Sequence, residues 1–259
     1  MAIHFPKYDD VPLANSPLEE VVCQVRFPPI LRIGSEEPSA FQERVRRRFP
    51  LLQQQQGVQI QIPGLGTPID ATAQVQPKIY RFASDTEETV LSLSLDFLAL
   101  MTKHYTHWRD FAEDLKLAQE ALHTVYEPLY ATRIGLRYID RFTFENTGCS
   151  TTDELFSLFR SEITVLLNSD VWSEPLGYNS QLLLADGDAK LRLQTKYGKE
   201  NNEAYIILDF DYYEEGKLPI ENLSERCEHY HEVIYNAFRW CLSEGSITIF
   251  QPLADKHQA

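Results

Sequence analysis

The stretch Ala131-Thr132-Arg133-Ile134-Gly135-Leu136-Arg137-Tyr138-Ile139-Asp140-Arg141-Phe142-Thr143-Phe144 alternates in character almost residue by residue. Period-two alternation marks a β-strand, whose successive side chains face opposite sides of a sheet. One side carries Arg133, Arg137 and Arg141 at i, i+4 and i+8, with Gly135 and Ile139 between them. The other carries Ile134, Leu136, Tyr138 and Phe142, which reads as core. This long strand opens the second of two passages that share one order of elements: strand, helix, three strands, helix.

The second passage continues with Thr151-Thr152-Asp153-Glu154, a capping-box pattern. The helix behind it should bury Leu155, Phe159, Ile163 and Leu166. Asp186-Gly187 lies between two apolar runs, as a type I′ hairpin turn demands. A third strand is expected over 204–212, closed by Glu214-Glu215-Gly216, and a last helix over 223–243, capped by Gly245.

The first passage reads similarly. An extended arm over 1–17 precedes a strand over 20–27, with Val21, Cys23, Val25 and Phe27 on one face. Pro28-Pro29 ends it, because proline cannot donate to a ladder. Phe41, Val45 and Phe49 form the buried stripe of a helix over 38–49. The glutamine run 53–56 reads as a connector, 58–62 as a strand and 63–68 as a Gly/Pro loop. A hairpin follows over 78–83 and 88–95 around Ser84-Asp85-Thr86. Thr106 is the expected N-cap of a helix carrying Trp108, Phe111, Ala112, Leu115, Ala118, Leu122 and Val125 on one side, stopped by Pro128.

The expected fold is therefore α+β: duplicated β-α-β-β-β-α units, about 18–127 and 131–245, forming a mainly antiparallel sheet with helices packed on one face. A unit alone leaves a sheet edge and an apolar face uncovered, which points to one fused domain over 1–259.

Composition narrows the functional classes. A net charge of −14 counts against nonspecific nucleic-acid binding and against anionic membranes. No apolar run is long enough to span a bilayer, and residues 1–10 do not resemble a signal peptide. Four scattered cysteines, Cys23, Cys149, Cys227 and Cys241, fit a reducing cytoplasm. No nucleotide-binding, hydrolase or metalloprotease motif is present, and no cofactor is called for.

Three blocks resemble a sporadically distributed prokaryotic family of uncharacterised proteins: 17–29 (PLEEVVCQVRFPP), 96–100 (DFLAL) followed by Tyr105, Trp108 and Phe111, and 132–141 (TRIGLRYIDR). The resemblance implies no activity and carries over no site residues. Its patchy distribution suits defence-associated genes such as those of toxin–antitoxin systems. The duplicated element order also resembles saddle-shaped or ligand-cradling folds.

Three constellations invite function. Arg133, Arg137 and Arg141, about 13 Å apart at roughly 3.3 Å per residue, suit a polyanion or an acidic segment. Asp209 and Asp211, on one face of the third strand, offer the same arginines a cross-strand partner instead. Arg44, Arg46, Arg47 and Arg48 suit either a helix C-terminus or a phosphate contact. Cys227 and His231 have i, i+4 metal-ligand spacing but lack a second pair; His104 and His107 flank a helix start without a nucleophile motif. From these features the first expectation is a non-catalytic protein that recognises a basic macromolecular partner through its acidic stretch 200–232. The second is a small-molecule sensor whose pocket, between sheet and helices, is edged by Arg133, Arg137 or Tyr138. The third is an enzyme whose site is assembled from residues distant in sequence.

Overall fold

Among the described residues nine strands form one sheet, and every neighbouring pair is antiparallel. The structure is a computed structural model that describes residues 2–56, 78–167, 169, 171–172 and 175–253. In chain order the elements are β1 (Leu18–Arg26), α1 (Leu31–Ser35), α2 (Ser39–Val45), β2 (Leu51–Gln56), β3 (Lys78–Ala83), β4 (Thr89–Ser94), β5 (Phe97–Thr102) and α3 (Trp108–Tyr126). Then come β6 (Ala131–Thr143), α4 (Phe144–Thr147), α5 (Thr152–Ser157), α6 (Ser161–Thr164), β7 (Tyr178–Asp186), β8 (Ala189–Glu200), β9 (Glu203–Leu218), α7 (Leu223–Cys241) and a 3-10 turn (Ser246–Phe250). The strand order across the sheet is β2-β3-β4-β5-β1-β6-β9-β8-β7.

The alternation in β6 does what its sequence dictates. Ile134, Leu136 and Phe142 are fully buried, and their cross-strand neighbours Val25, Cys23, Tyr212 and Ile206 are buried with them. Helix α3 buries Phe111, Leu115, Ala118, Ala121 and Leu122, and ends where Glu127 turns left-handed ahead of Pro128. Helix α7 packs on β6 and β9 and against α3. Its buried side includes Cys227, whose sulfur lies 3.5 Å from that of Cys23.

Several expectations need correction. The glutamine run is strand rather than connector, since Gln53–Gln56 pair with β3. The expected strand over 58–62 and loop over 63–68 lie outside the described residues. Residues 31–35 form a helix that the sequence did not signal. His107, not Thr106, caps α3; the Thr106 hydroxyl instead donates to Asp110. The helix expected after residue 151 is two short ones, and Leu166 is exposed. The Asp186–Gly187 hairpin exists, but its central residues are Gly187 and Asp188 and only the glycine has positive φ, as in a type II′ turn. The turn with two left-handed residues is Asn201-Asn202, joining β8 to β9. Strand β9 runs through Gly216 to Leu218, so the expected closure at 214–216 is not there. Gly245 starts the 3-10 turn rather than capping α7.

Candidate functional site

Strand alternation sends the side chains of β6 to two chemically different places. On the side away from α7, Asp211 accepts from Arg133 at 2.9 Å and from Arg192 at 2.8 Å. Asp209 takes a two-pronged bond from Arg137 at 2.7 and 2.6 Å. Arg141 pairs with Glu200 and lies over the Tyr205 ring. Gly135 makes this lattice possible. The Arg133 guanidinium crosses the space that a Cβ at Gly135 would fill, 2.6 Å from its nearest nitrogen. Arg133, Arg137, Arg141, Asp209 and Asp211 thus meet each other or a sheet neighbour, in the cross-strand arrangement. Within the acidic stretch, Glu214 accepts from Arg226 and Tyr230 of α7, and Glu215 pairs across the sheet with Lys190.

Tyr138 points to the other side. Arg133 and Arg137 therefore do not edge the pocket that Tyr138 lines, for they lie an odd number of residues from it along the strand. That pocket is a cavity of about 380 Å³ between β6, the start of α3, α7 and the N-terminal arm. Its walls carry Tyr105, Trp108, Tyr138, Tyr235 and Phe238, together with Asp10, Asp140 and His231. The arm is held on α7 by backbone bonds from Tyr8 to Asn236 and from Val11 to the Tyr235 hydroxyl. It is tied to the chain's other end by Ala14 and Asn15, which donate to the carbonyls of Gln251 and Phe250.

A continuous chain of polar contacts lines the cavity. Asp10 Oδ2 lies 3.0 Å from His231 Nε2, His231 Nδ1 lies 2.7 Å from the Tyr138 hydroxyl, and that hydroxyl lies 3.3 Å from the hydroxyl of Tyr105. Trp108 stacks flat on the His231 ring, with centroids 4.8 Å apart. The tautomer of His231 sets the direction in which protons run along the chain. Burial pushes the hydroxyls of Tyr138 and Tyr105 up from the ordinary tyrosine range, so both stay protonated at neutral pH.

Asp140, one period beyond Tyr138, also faces the cavity. It is buried to 4% exposure, and its Oδ2 has no hydrogen-bond partner. Desolvation, and then the charge of Asp209, push its carboxyl well above the usual carboxylate range.

The i, i+4 pair on α7 does not converge on one point: Cys227 meets Cys23, whereas His231 meets Tyr138 and Asp10. A second cavity of about 380 Å³ shares Tyr105, Thr106 and His107 with the first and is rich in hydroxyls, from Ser84, Thr86, Thr89 and Thr102. His104 and His107 both line it. Arg48 reaches its edge to clasp Asp114 with two bonds of 2.7 Å, and Arg46 pairs with Glu43.

Asp10, Tyr105, Trp108, Asp140, His231 and Tyr235 form the site that sequence reasoning passed over. One signal was legible. Asp140 occupies a core position in the apolar series Ile134, Leu136, Tyr138, Phe142. The chain matches no protein-family model and no curated protein.

Proposed function

We propose that this protein is a non-catalytic receptor for a small organic molecule, held in the cavity between β6, α3, α7 and the arm. The observation that carries the reading is a cavity of about 380 Å³, the size of a small-molecule site, with aromatic walls and a few converging polar groups. The polar chain from Asp10 to Tyr105 fixes the orientation of those groups.

In this reading the two halves are copies of one β-α-β-β-β-α unit in a single domain, with the helices on one sheet face. The strand order supports it: β1 and β6 are neighbours at the middle, β5 and β9 flank them, and β4 and β8 come next. The pocket then lies near the junction of the copies, where both long helices meet. Free thiols at all four cysteines fit a cytoplasmic setting.

Native mass spectrometry on protein gently isolated from its own cells tests the receptor reading. The expected result is a bound small mass that disappears in Val11→Trp, which fills the cavity from the arm. A bare wild-type chain, or a bound mass indifferent to Val11→Trp, contradicts it.

A second reading, recognition of a macromolecular partner, is supported by the exposed Leu182 and Leu183 on the outer strand β7, with Val165, Leu166, Val171 and Trp172 exposed nearby in sequence. A co-purifying protein lost on Leu183→Lys is the result expected from that reading.

A further inference from the structure

We propose that the ligand of this cavity is an organic cation, a protonated or quaternary amine, whose charge meets the Asp140 carboxylate while its apolar part lies against Trp108, Tyr105 and Phe238. The proposal rests on the receptor reading and adds the chemical class of the ligand.

Asp140 carries the argument. A buried polar atom without a partner is disfavoured, and nearly all such atoms in folded proteins find one. Oδ2 of Asp140 has none and is itself closed off from solvent, while the carboxyl as a whole, on a residue 4% exposed, borders an open cavity. Among the described residues no cation is hydrogen-bonded or ion-paired to it. Arg133, Arg137 and Arg192 belong to the opposite face, bound to Asp209 and Asp211. Among the basic side chains on the cavity wall, Arg109 is 71% exposed at its side chain and turns toward Asp110, and His231 is taken up by Asp10 and Tyr138. The place of a counter-charge is thus left to whatever enters.

The walls favour the same class. Indole and phenol rings present their negative faces to a cation, an attraction that grows as water is excluded. An anion would confront both Asp10 and Asp140, besides a chain of net charge −14 that draws cations in. A neutral ligand would leave the Asp140 carboxyl to hold its proton and find a hydrogen-bond acceptor.

Three probes of nearly one shape separate these cases: 2-phenylethylammonium, 2-phenylethanol and phenylacetate, titrated calorimetrically into the full chain at pH 7.5. The expected order is ammonium tightest, by about tenfold or more over the alcohol, with no measurable phenylacetate binding. Asp140→Asn, checked for native circular dichroism, should bring ammonium and alcohol to equal affinity. Trp108→Leu should weaken the ammonium while leaving the Asp140-dependent discrimination in place. Alcohol or phenylacetate binding as tightly as the ammonium overturns the cation proposal but leaves the receptor reading standing. Failure of all three to bind, with no change in tryptophan emission, overturns the cation proposal, whereas the receptor reading falls on a bare chain in native mass spectrometry. Ammonium binding that survives unchanged in Asp140→Asn removes Asp140 from the site.

Discussion

At the scale of single residues, Asp140 sets a pH dependence whose sign is fixed. Its folded-state pKa lies well above the ordinary carboxylate range of the unfolded chain, so between the two the folded chain holds a proton that the unfolded chain releases. Its contribution to stability is fully present below the unfolded value and is lost as pH rises through the folded value. Asp140→Asn cannot ionise. It should raise the stability of the ligand-free protein by about 1–3 kcal/mol at neutral pH and flatten the decline of urea midpoints measured from pH 4 to 8. A variant that is less stable than wild type at pH 8 would show that the Asp140 carboxylate is satisfied in the folded chain. Gly135 permits a different test. A Cβ there displaces the Arg133 guanidinium from Asp211, while Arg192 stays in place. Gly135→Ala should cost about 1 kcal/mol, and Arg133→Ala should add little on top of it in a double-mutant cycle by chemical denaturation. Additive losses would mean that the guanidinium does not depend on the glycine.

At the scale of elements, what was legible was what alternation and capping write locally. β6 was readable because its odd and even residues differ in polarity, and α3 because its apolar residues recur at helical spacing up to Pro128. Strand β2 was not, because glutamines carry no apolar alternation and their pairing with β3 is a tertiary event. The extension of β9 beyond Tyr212 was hidden by Glu214, Glu215 and Gly216, turn-like residues whose partners Arg226, Tyr230 and Lys190 are remote in sequence. The turn between β8 and β9 was missed because two asparagines, rather than a glycine, take its left-handed positions. Asn202→Val should therefore cost roughly 1–2 kcal/mol, read from thermal or urea unfolding, whereas Asn202→Gly should be neutral or slightly stabilising. Equal behaviour of the two variants would contradict a turn that demands positive φ at that position.

At the scale of the whole molecule, the site is a product of assembly. Asp10 and His231 are 221 residues apart and Tyr138 and His231 are 93 apart, so the polar chain exists only once the arm, β6 and α7 have met. Sequence spacing instead drew attention to Arg133, Arg137 and Arg141, which recur at every fourth residue on one strand face and are taken up by Asp211, Asp209 and Glu200. The one cue to the pocket was an acidic residue at a core position. The arm matters as a wall, since it supplies Asp10, Val11, Pro12 and Leu13 to the cavity. Removing residues 2–14 should abolish probe binding, red-shift the emission of Trp108 and lower the thermal midpoint by several degrees, as loss of about 1–2 kcal/mol does in a chain of this size. Unaltered binding by the truncated chain would place the ligand elsewhere.

The central claim is that a small organic molecule occupies the cavity beside Asp140. A crystal structure of protein purified gently from its own cells tests it most directly. The expected result is connected density for an organic molecule between Trp108 and Phe238, with a positively charged nitrogen in contact with the Asp140 carboxyl. A cavity filled only by ordered water, hydrogen-bonded to the Asp140 carboxyl, would overturn the claim.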